Sequence, residues 1–197
     1  MALYFARHGQ TNWNWVRRWQ SHTDIPLNQT GRQQARALSQ LIRSRDISFA
    51  RVMCSPLRRA RETAEILIDG FDLTLEIDSR LVELDFGEFE GRLESELRKE
   101  LGEIYDKWKS RMYLDPAPSG EGILDVARRV EPVLQALLNT PGDVLIVGHQ
   151  VVNMTLKAKL SNCFTVECLS SFRQNNDEID LWEITPPRSV MRISVGG

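Results

Sequence analysis

The sequence is poor in the features that mark exported, disulfide-rich or membrane proteins. Its 197 residues include only three cysteines. An odd number of cysteines without Cys-x-x-Cys spacing argues against a zinc site, so we expect Cys54, Cys163 and Cys168 to be reduced thiols. No apolar run approaches the about 20 residues that cross a bilayer, and the run that opens the chain stops at Arg7, too early for a signal-peptide core. We therefore expect a cytoplasmic protein with no membrane partner.

The chain also lacks an excess of charge of either sign. Its 25 basic and 27 acidic residues are mixed along the chain and give a net charge of −2. A field strong enough to hold nucleic acid is not predicted, so we expect no nucleic-acid partner. Only three histidines are present, His8, His22 and His149, and they lie in different segments without the spacing of a ligand pair. The sequence thus predicts neither a metal site nor a cofactor.

The chain does contain an alternation of strand-like and helix-like segments. Four short apolar runs predict buried strands at residues 2–6 (ALYFA), 50–55 (ARVMCS), 73–77 (LTLEI) and 143–148 (DVLIVG). Apolar residues at helical spacing predict helices at residues 30–44, 57–68 and 123–138. Residues 116–122 indicate a loop, and the tail from Thr185 carries no pattern that predicts its structure. With 42% hydrophobic residues and no linker, the pattern predicts one domain over residues 1–197, a three-layer α/β/α sandwich around a mostly parallel sheet.

Charged and titratable residues follow the predicted strands. Arg7 and His8 end the first strand, His149 ends the strand at residues 143–148, and Arg58 and Arg59 lie in the helix that follows another strand. In open α/β sheets ligands bind at the carboxyl ends of the strands. We therefore expect two histidines and several guanidinium groups to meet at one edge of the sheet.

Such a cluster suits the chemistry of phosphate esters. A neutral imidazole is a nucleophile toward phosphorus, and guanidinium forks bind phosphoryl oxygens while they disfavour protonation of the ring. The leaving oxygen also needs a proton from a nearby acid. Residues 79–91 offer four carboxylates, Glu83, Asp85, Glu88 and Glu90, and their spacing alone does not choose between them.

Six segments together resemble the motifs of the histidine phosphatase superfamily, the phosphoglycerate mutase-like proteins. They occur in the family's order at residues 7–14 (RHGQTNWN), 23–35 (TDIPLNQTGRQQA), 55–64 (SPLRRARETA), 81–91 (LVELDFGEFEG), 118–122 (PSGEG) and 147–149 (VGH). The resemblance implies that His8 is the nucleophile that becomes phosphohistidine. It also implies that Arg7, Asn14, Arg59 and His149 bind the transferring phosphoryl group and that Glu83 protonates the leaving oxygen.

The residues that would choose the substrate are less well defined. The stretch WNWVRRW contains Arg17 and Arg18 between tryptophans, and Gln150 stands where the family often has a small residue. One interpretation is that the indoles only cover the edge of the core. The sharper hypothesis is that Arg17 or Arg18 binds a second anionic group, or that an indole stacks on a ring of the substrate.

The short insertion between two motifs bears on the reaction. Residues 91–112 mix charges at helical spacing, which is typical of a solvated helix, and by position residues 92–117 would form a small helical cap over the pocket. Because mutases of the family enclose the phosphorylated enzyme more fully, we expect a metal-independent phosphomonoesterase that hydrolyses a small phosphorylated metabolite. Mutase-type phosphoryl transfer is the alternative, and a silent phosphate-binding protein is disfavoured because His8 and Glu83 are both present. A homodimer is compatible with the sequence.

Overall fold

The computed structural model describes residues 1–112 and 114–195 and places a six-stranded sheet at the centre of the chain. The strands are β1 (Ala2–Arg7), β2 (Arg51–Cys54), β3 (Leu75–Ile77), β4 (Val144–Gly148), β5 (Glu178–Ile184) and β6 (Pro187–Ser194). They lie in the order β3-β2-β4-β1-β5-β6. Strands β1 to β4 are parallel to one another, whereas β5 is antiparallel to both of its neighbours, β1 and β6. The predicted mostly parallel sheet is thus confirmed, with an antiparallel hairpin at one edge.

Helices cover both faces of the sheet. They are α1 (Asn12–Trp15), α2 (Gln29–Ser44), α3 (Arg58–Leu67), α4 (Glu94–Leu101), α5 (Glu103–Arg111), α6 (Ile123–Leu138), α7 (Gln150–Ser161) and α8 (Val166–Ser171). One buried cluster joins α2 and α3 to the sheet, and the other joins α6 and α7 to its opposite face. This arrangement is the three-layer sandwich that the alternating sequence pattern predicts.

Strand β1 illustrates why the sheet is buried on both sides. Successive side chains of a strand point to opposite faces. Leu3 and Phe5 accordingly join the cluster with α6 and α7, while Tyr4 and Ala6 join the cluster with α2 and α3. A strand that is apolar on both faces ends where its polar residues begin, and β1 ends at Arg7.

Most of the predicted helices and strands agree with the structure to within two residues. The helix predicted at residues 123–138 has those bounds, and α2 begins one residue before the prediction because the Asn28 side chain accepts a hydrogen bond from the Gly31 amide (2.8 Å). The segment at residues 91–112 differs, because Gly102 adopts a positive φ of 55° and separates α4 from α5. Leu97 and Tyr105 are fully buried in these helices, so the segment is not only a solvated face.

The second half of the chain contains elements that the pattern did not indicate. Helices α7 and α8 and the hairpin of β5 and β6 all follow the last predicted strand. Strand β6 lies in the tail from Thr185, and six of its eight residues are exposed. Helix α7 is buried on almost every side, so it has no amphipathic period that the sequence could display.

The expected set of three reduced thiols is wrong for two of the cysteines. Cys163 and Cys168 form a disulfide with their Cα atoms 6.1 Å apart, whereas Cys54 is free and buried. Helix α7 ends at Asn162 in the left-handed conformation, and Thr165 caps α8, so the chain turns back and brings the two cysteines within bonding reach. Spacing alone could not predict this reversal of the chain.

Among the described residues, no helix has both the length and the apolar character needed to cross a membrane.

Candidate active site

The loop after β1 holds His8 against the middle of the sheet. The His8 amide donates to the Gly148 carbonyl of β4 (3.0 Å), which continues the parallel pairing of β1 with β4 by one residue. The next residue, Gly9, lies against the start of α2, and a Cβ atom there would come within 2.5 Å of the Gly31 carbonyl oxygen. A side chain at position 9 would therefore push the loop off α2 and move His8.

The structure brings the two predicted site histidines together. His149 follows β4 as His8 follows β1, and the ring centroids lie 5.1 Å apart with the ring planes at 60°. Both side chains are buried, with 3% exposure for His8 and 0% for His149. Because β1 and β4 are adjacent parallel strands, their carboxyl ends place the two rings side by side.

Hydrogen bonds define which nitrogen of each ring carries the proton. His8 Nδ1 lies 2.8 Å from the Gly9 carbonyl oxygen, which can only accept, so Nδ1 is protonated and Nε2 keeps its lone pair. His149 Nδ1 accepts from Arg59 Nε (3.3 Å), which can only donate, so the neutral ring carries its proton on Nε2. That Nε2 is buried and has no hydrogen-bond partner within residues 1–112 and 114–195. The pair therefore offers one nucleophilic nitrogen and one N–H donor.

Burial keeps both rings neutral. It lowers the pKa of His8 and the pKa of His149 well below the usual range, and the Arg59 guanidinium is the next cause in each case. For His8 the positive charge of Arg7 adds to the effect, and the bond to Gly9 opposes it. A neutral imidazole is the form that acts as a nucleophile.

Arg59 lies at the centre of the site and is fully buried. Its Nη1 donates to the Thr23 carbonyl (3.0 Å), and its Nη2 donates to the Ser21 carbonyl (2.7 Å). With the Gln20 amide oriented so that its nitrogen donates to Thr11 Oγ1, the Gln20 oxygen lies 2.7 Å from Arg59 Nε, so the single Nε–H is shared between Gln20 and His149 Nδ1. Burial lowers the pKa of Arg59 to about 10, and the negative charge of Glu83 opposes this shift, so the guanidinium is charged at neutral pH.

Arg7 is oriented by residues that the motifs do not include. Its Nη1 donates to Gln150 Oε1 (3.1 Å) and to the Gln174 carbonyl (3.0 Å). Gln174 is itself fixed, since its amide nitrogen donates to the Phe5 carbonyl (2.7 Å) and its amide oxygen accepts from Asn153 (3.2 Å). Gln150, which the sequence analysis assigned to substrate binding, therefore holds Arg7 as well as lining the cavity.

Glu83 is the one of the four candidate carboxylates that lies in the core of the site. Its carboxylate accepts from the Leu84 amide (2.9 Å) and, at the start of α7, from the Val151 (3.1 Å) and Val152 (3.3 Å) amides. Burial raises the pKa of Glu83, although these amides and the charges of Arg7 and Arg59 pull it down. Because burial is the largest cause, Glu83 is poised to hold a proton at a higher pH than a free glutamate does.

Asn14 belongs to the short helix that follows the His8 loop. Its Oδ1 accepts from the Thr11 amide (3.1 Å) and from Thr11 Oγ1 (3.1 Å), which closes a capping box at α1. Because the oxygen is occupied, the amide nitrogen is the group that Asn14 offers to a ligand.

These residues border a cavity of about 500 Å³, a volume typical of small-molecule sites. Its wall includes six of the predicted residues, Arg7, Asn14, Arg17, Arg18, Glu83 and Gln150. His8, Arg59 and His149 are not among the wall residues; they are 0–3% exposed, and Arg7 beside His8 and Gln20 beside Arg59 connect them to the wall. The predicted set is thus collected at one place, and the role of each member stays a prediction.

Two of the tryptophans near Arg17 have different environments, which bears on whether the indoles cover the core or contact a substrate. Trp19 lines the cavity and packs on Phe86, with the ring centroids 4.7 Å apart. Trp15 is 72% exposed, so it does not cover the edge of the core. Its exposure places it on the outside of the protein.

Sequence reasoning missed several residues of the site. Gln20, Glu94, Lys109, Gln174, Asn175 and Asn176 all line the cavity. Asn176 Nδ2 also donates to the His8 carbonyl (2.6 Å), so it helps to fix the loop that carries His8. The run RQNN just before β5 was the available signal, because four consecutive polar residues before a strand indicate a loop at the sheet edge.

The lowered histidine pKa values predict how stability depends on pH. As the pH falls through about 6.5, a histidine of the unfolded chain binds a proton, whereas the low pKa values of His8 and His149 keep them neutral in the folded protein. The unfolded state then binds more protons, so the free energy of unfolding falls by up to about 1.4 kcal/mol per pH unit for each buried histidine. The raised pKa of Glu83 acts in the opposite direction.

Urea unfolding between about pH 5 and 6.5 measures this dependence. We expect His149→Gln to reduce the slope of unfolding free energy against pH by up to about 1.4 kcal/mol per unit relative to the wild type. His22→Gln is the matched control, because His22 is exposed. Equal slopes for the wild type and His149→Gln contradict the prediction.

No group of three or more histidine, cysteine, aspartate or glutamate side chains suited to a metal ion occurs in the described part of the chain.

The fold and the site define an α/β protein with paired neutral histidines beside buried guanidinium groups. The model of the histidine phosphatase superfamily (branch 1) matches residues 3–192, and the chain belongs to this family. The resemblance seen in the six sequence motifs is therefore confirmed.

Two curated relatives are similar over most of their length. Over 162 residues the chain is 36% identical to Adenosylcobalamin/alpha-ribazole phosphatase of Salmonella typhimurium (strain LT2), covering 81% of this chain and 79% of that protein. Over 155 residues it is 33% identical to Probable phosphoglycerate mutase GpmB of Yersinia pestis (strain Pestoides F), covering 76% of this chain and 69% of that protein. The named relatives thus include both a phosphatase and a probable mutase.

Solved structures have the same fold. The mycobacterial glucosyl-3-phosphoglycerate phosphatase Rv2419c complexed with VO3 aligns with a TM-score of 0.86 and 25% identity, covering 98% of this chain and 97% of that one. The alpha-ribazole phosphatase from Shigella flexneri aligns with a TM-score of 0.82 and 30% identity, covering 98% of this chain and 96% of that one. The predicted sandwich is therefore confirmed as the fold of histidine phosphatases.

Proposed function

We propose that the protein is a metal-independent phosphomonoesterase that hydrolyses a small phosphorylated metabolite through a phosphohistidine intermediate on His8. The observation that carries the proposal is the pair of buried imidazoles 5.1 Å apart, with an open lone pair on His8 Nε2 and an unpaired N–H on His149 Nε2. Phosphoryl transfer needs an in-line nucleophile and positive charge around the equatorial oxygens. The site supplies both from its own side chains.

In the first step, His8 Nε2 attacks phosphorus. The P–N bond forms as the ester P–O bond breaks, and the proton of Glu83 passes to the leaving oxygen. Arg7, Asn14 and the His149 N–H donate to the phosphoryl oxygens, and the buried charge of Arg59 stabilises the negative charge on them. The raised pKa of Glu83 keeps a proton available for this transfer.

In the second step, water attacks the phosphohistidine. Glu83, now a carboxylate, takes a proton from the water as the P–O bond forms and the P–N bond breaks. Inorganic phosphate leaves, and both His8 and Glu83 return to their starting protonation states. The same carboxyl group therefore acts first as an acid and then as a base.

The cap supports hydrolysis over mutase chemistry. We propose that residues 92–117 form this cap, in which Glu94 of α4, Lys109 of α5 and Met112, which follows α5, contribute to the cavity wall. The side chain of Lys109 is 31% exposed and Arg17 is exposed, so water reaches the outer part of the cavity. A site that water enters does not protect a phosphorylated histidine from hydrolysis.

The names of the relatives point to two activities within the family. The names of two relatives contain alpha-ribazole phosphatase, so alpha-ribazole phosphate is a candidate substrate. The likeness to a probable phosphoglycerate mutase favours mutase-type transfer as the alternative. A cytoplasmic location and a homodimer remain predictions from the sequence.

Rapid mixing with 4-nitrophenyl phosphate in the presence of EDTA tests the proposal. We expect a burst of 4-nitrophenolate equal to the enzyme concentration, steady turnover after it, and an acid-labile phosphoryl group on His8 in quenched samples. EDTA should leave the rate unchanged in the wild type. It should also leave the rate unchanged in Glu88→Gln, a control variant from the same loop as Glu83. If the protein isomerises 3-phosphoglycerate faster than it hydrolyses any ester, the mutase alternative is supported. If it binds phosphate esters but hydrolyses none of them, a silent binding protein is supported.

A further inference from the structure

The outer part of the cavity is rich in positive charge. Beyond the residues proposed to hold the transferring phosphoryl group, the described part of its wall carries Arg17, Arg18, Lys109 and Arg173 but only one further carboxylate, Glu94. The whole chain has a net charge of −2, so this concentration of cations is local. A cleft lined by one sign of charge favours ligands of the other sign.

Arg17 is fixed at the base of the cap by its backbone. Its amide donates to the Asn14 carbonyl (3.2 Å), and its carbonyl accepts from the Glu94 amide (3.0 Å). Between these two bonds Arg17 adopts a φ of 55°, which is unusual for a residue other than glycine. Strained backbone of this kind persists where neighbouring contacts enforce it, and it clusters at ligand sites.

The Arg17 guanidinium is available for a ligand. Within residues 1–112 and 114–195 it makes no hydrogen bond or ion pair. Its neighbour Arg18 is committed, because its Nη1 donates to the Gly91 carbonyl and its guanidinium lies 5.7 Å from the Trp13 ring. Of the two arginines proposed from the sequence, Arg17 is thus the one that can meet an anion of the substrate.

Glu94 connects Arg17 to Lys109. Its amide binds the Arg17 carbonyl, and its carboxylate pairs with Lys109 of α5. The same carboxylate oxygen lies 3.5 Å from Arg98, so a second cation is already beside it. The Glu94 side chain is only 16% exposed, and its backbone amide is bonded to Arg17 itself.

We propose that Arg17 and Lys109 form a subsite for a second anionic group on the leaving part of the substrate, and that this group displaces Glu94 from Lys109. Glu94 then remains paired with Arg98, so no carboxylate is left without a partner. The substrate class is a phosphomonoester that carries a further carboxylate or phosphate. This inference rests on the proposed phosphatase function and assigns its substrate.

Paired substrates that differ in one anion test the subsite. 3-Phosphoglycerate and glycerol 3-phosphate differ in a carboxylate against a hydroxymethyl group, and 1,3-propanediol bisphosphate against 3-hydroxypropyl phosphate tests a second phosphate. The measured quantity is the ratio of kcat/KM for the member with the second anionic group to kcat/KM for the partner that lacks it. A charge-assisted hydrogen bond predicts a wild-type ratio of about tenfold or more in at least one pair.

The variants predict changes in opposite directions. Arg17→Ala and Lys109→Met should each lower the ratio by about fivefold or more, whereas Glu94→Gln should raise it because the competing carboxylate is gone. Arg128→Ala is the matched control, since it makes the same change in net charge at a side chain that is 76% exposed on α6. It should keep the wild-type ratio.

The outcomes separate the subsite from the proposed function. If Arg17→Ala and Lys109→Met keep the ratio within twofold of the wild type, or if Arg128→Ala lowers it equally, the subsite is overturned. A lower ratio in Glu94→Gln overturns the displacement of Glu94. Loss of hydrolysis in His8→Ala, measured on the substrates that lack the second anionic group, reports on the proposed function independently of these ratios.

Discussion

Replacement of His8 by alanine is expected to reduce kcat for phenyl phosphate by at least about 10⁴-fold, because no other side chain can form the covalent intermediate. His149 lies 5.1 Å away, but its Nδ1 accepts from Arg59 and its Nε2 carries the proton, so it cannot replace His8 as the nucleophile. Phosphate release, measured in the steady state with saturating substrate in excess over enzyme, reports this loss.

The same variant should also fail to incorporate a phosphoryl group. Intact mass of quenched samples measures this directly and does not depend on the rate of turnover. His22→Gln is the matched control, because His22 is exposed and its Nε2 bonds to the Glu83 carbonyl (2.9 Å), a bond that a glutamine amide can also donate, and this variant should keep its rate within about threefold. Normal incorporation of a phosphoryl group in His8→Ala contradicts the assignment of His8 as the nucleophile.

The sequence predicts the centre of this site because topology places it there. His8 and His149 each follow a strand that is apolar on both faces, and such strands are parallel neighbours in a covered sheet. The carboxyl ends of parallel strands lie at one edge of the sheet, so the polar residues that end these two strands are expected at that edge, and the structure adds that the two strands are neighbours. No knowledge of the loops is needed for that step.

The rest of the site depends on long-range contacts that leave little trace in the pattern. Gln174 reaches Arg7 through a backbone carbonyl, which any residue type provides, so the polar run RQNN indicates a loop there but not the contact with Arg7. Lys109 lies on a charged helix whose opposite face is buried, and only the break at Gly102 turns that helix over the cavity. The disulfide between Cys163 and Cys168 likewise depends on the reversal of the chain at Asn162.

One cause, burial, shifts the pKa values of two kinds of titratable group in the site in opposite directions. Burial lowers the pKa of His8 and His149 and raises the pKa of Glu83. Each shift favours the uncharged form, so the resting site has neutral rings, a carboxyl group that can hold its proton, and net positive charge from Arg7 and Arg59. That is the charge state that binds a phosphate dianion and protonates its leaving group.

The role of Glu83 therefore predicts a dependence on the leaving group. Glu83→Gln keeps the shape of the side chain and an oxygen for the Val151 amide, but it cannot give a proton. We expect kcat/KM for an alkyl phosphate such as glycerol 3-phosphate to fall by about 10²- to 10⁴-fold. 4-Nitrophenolate is a stable anion that leaves without protonation, so kcat/KM for its ester should fall much less.

Two further measurements separate the acid from the base role of Glu83. With 4-nitrophenyl phosphate, Glu83→Gln should keep its burst and lose steady turnover, because the second step needs the carboxylate to activate water. In the wild type, kcat/KM for the alkyl ester should fall as the pH rises through the raised pKa of Glu83, since the acid form is then lost. This limb should vanish in Glu83→Gln and persist in Glu88→Gln, whose side chain is exposed on the same loop. Equal losses on the alkyl and nitrophenyl esters, with the pH limb retained, exclude Glu83 as the proton donor and return the choice to Asp85 or Glu90.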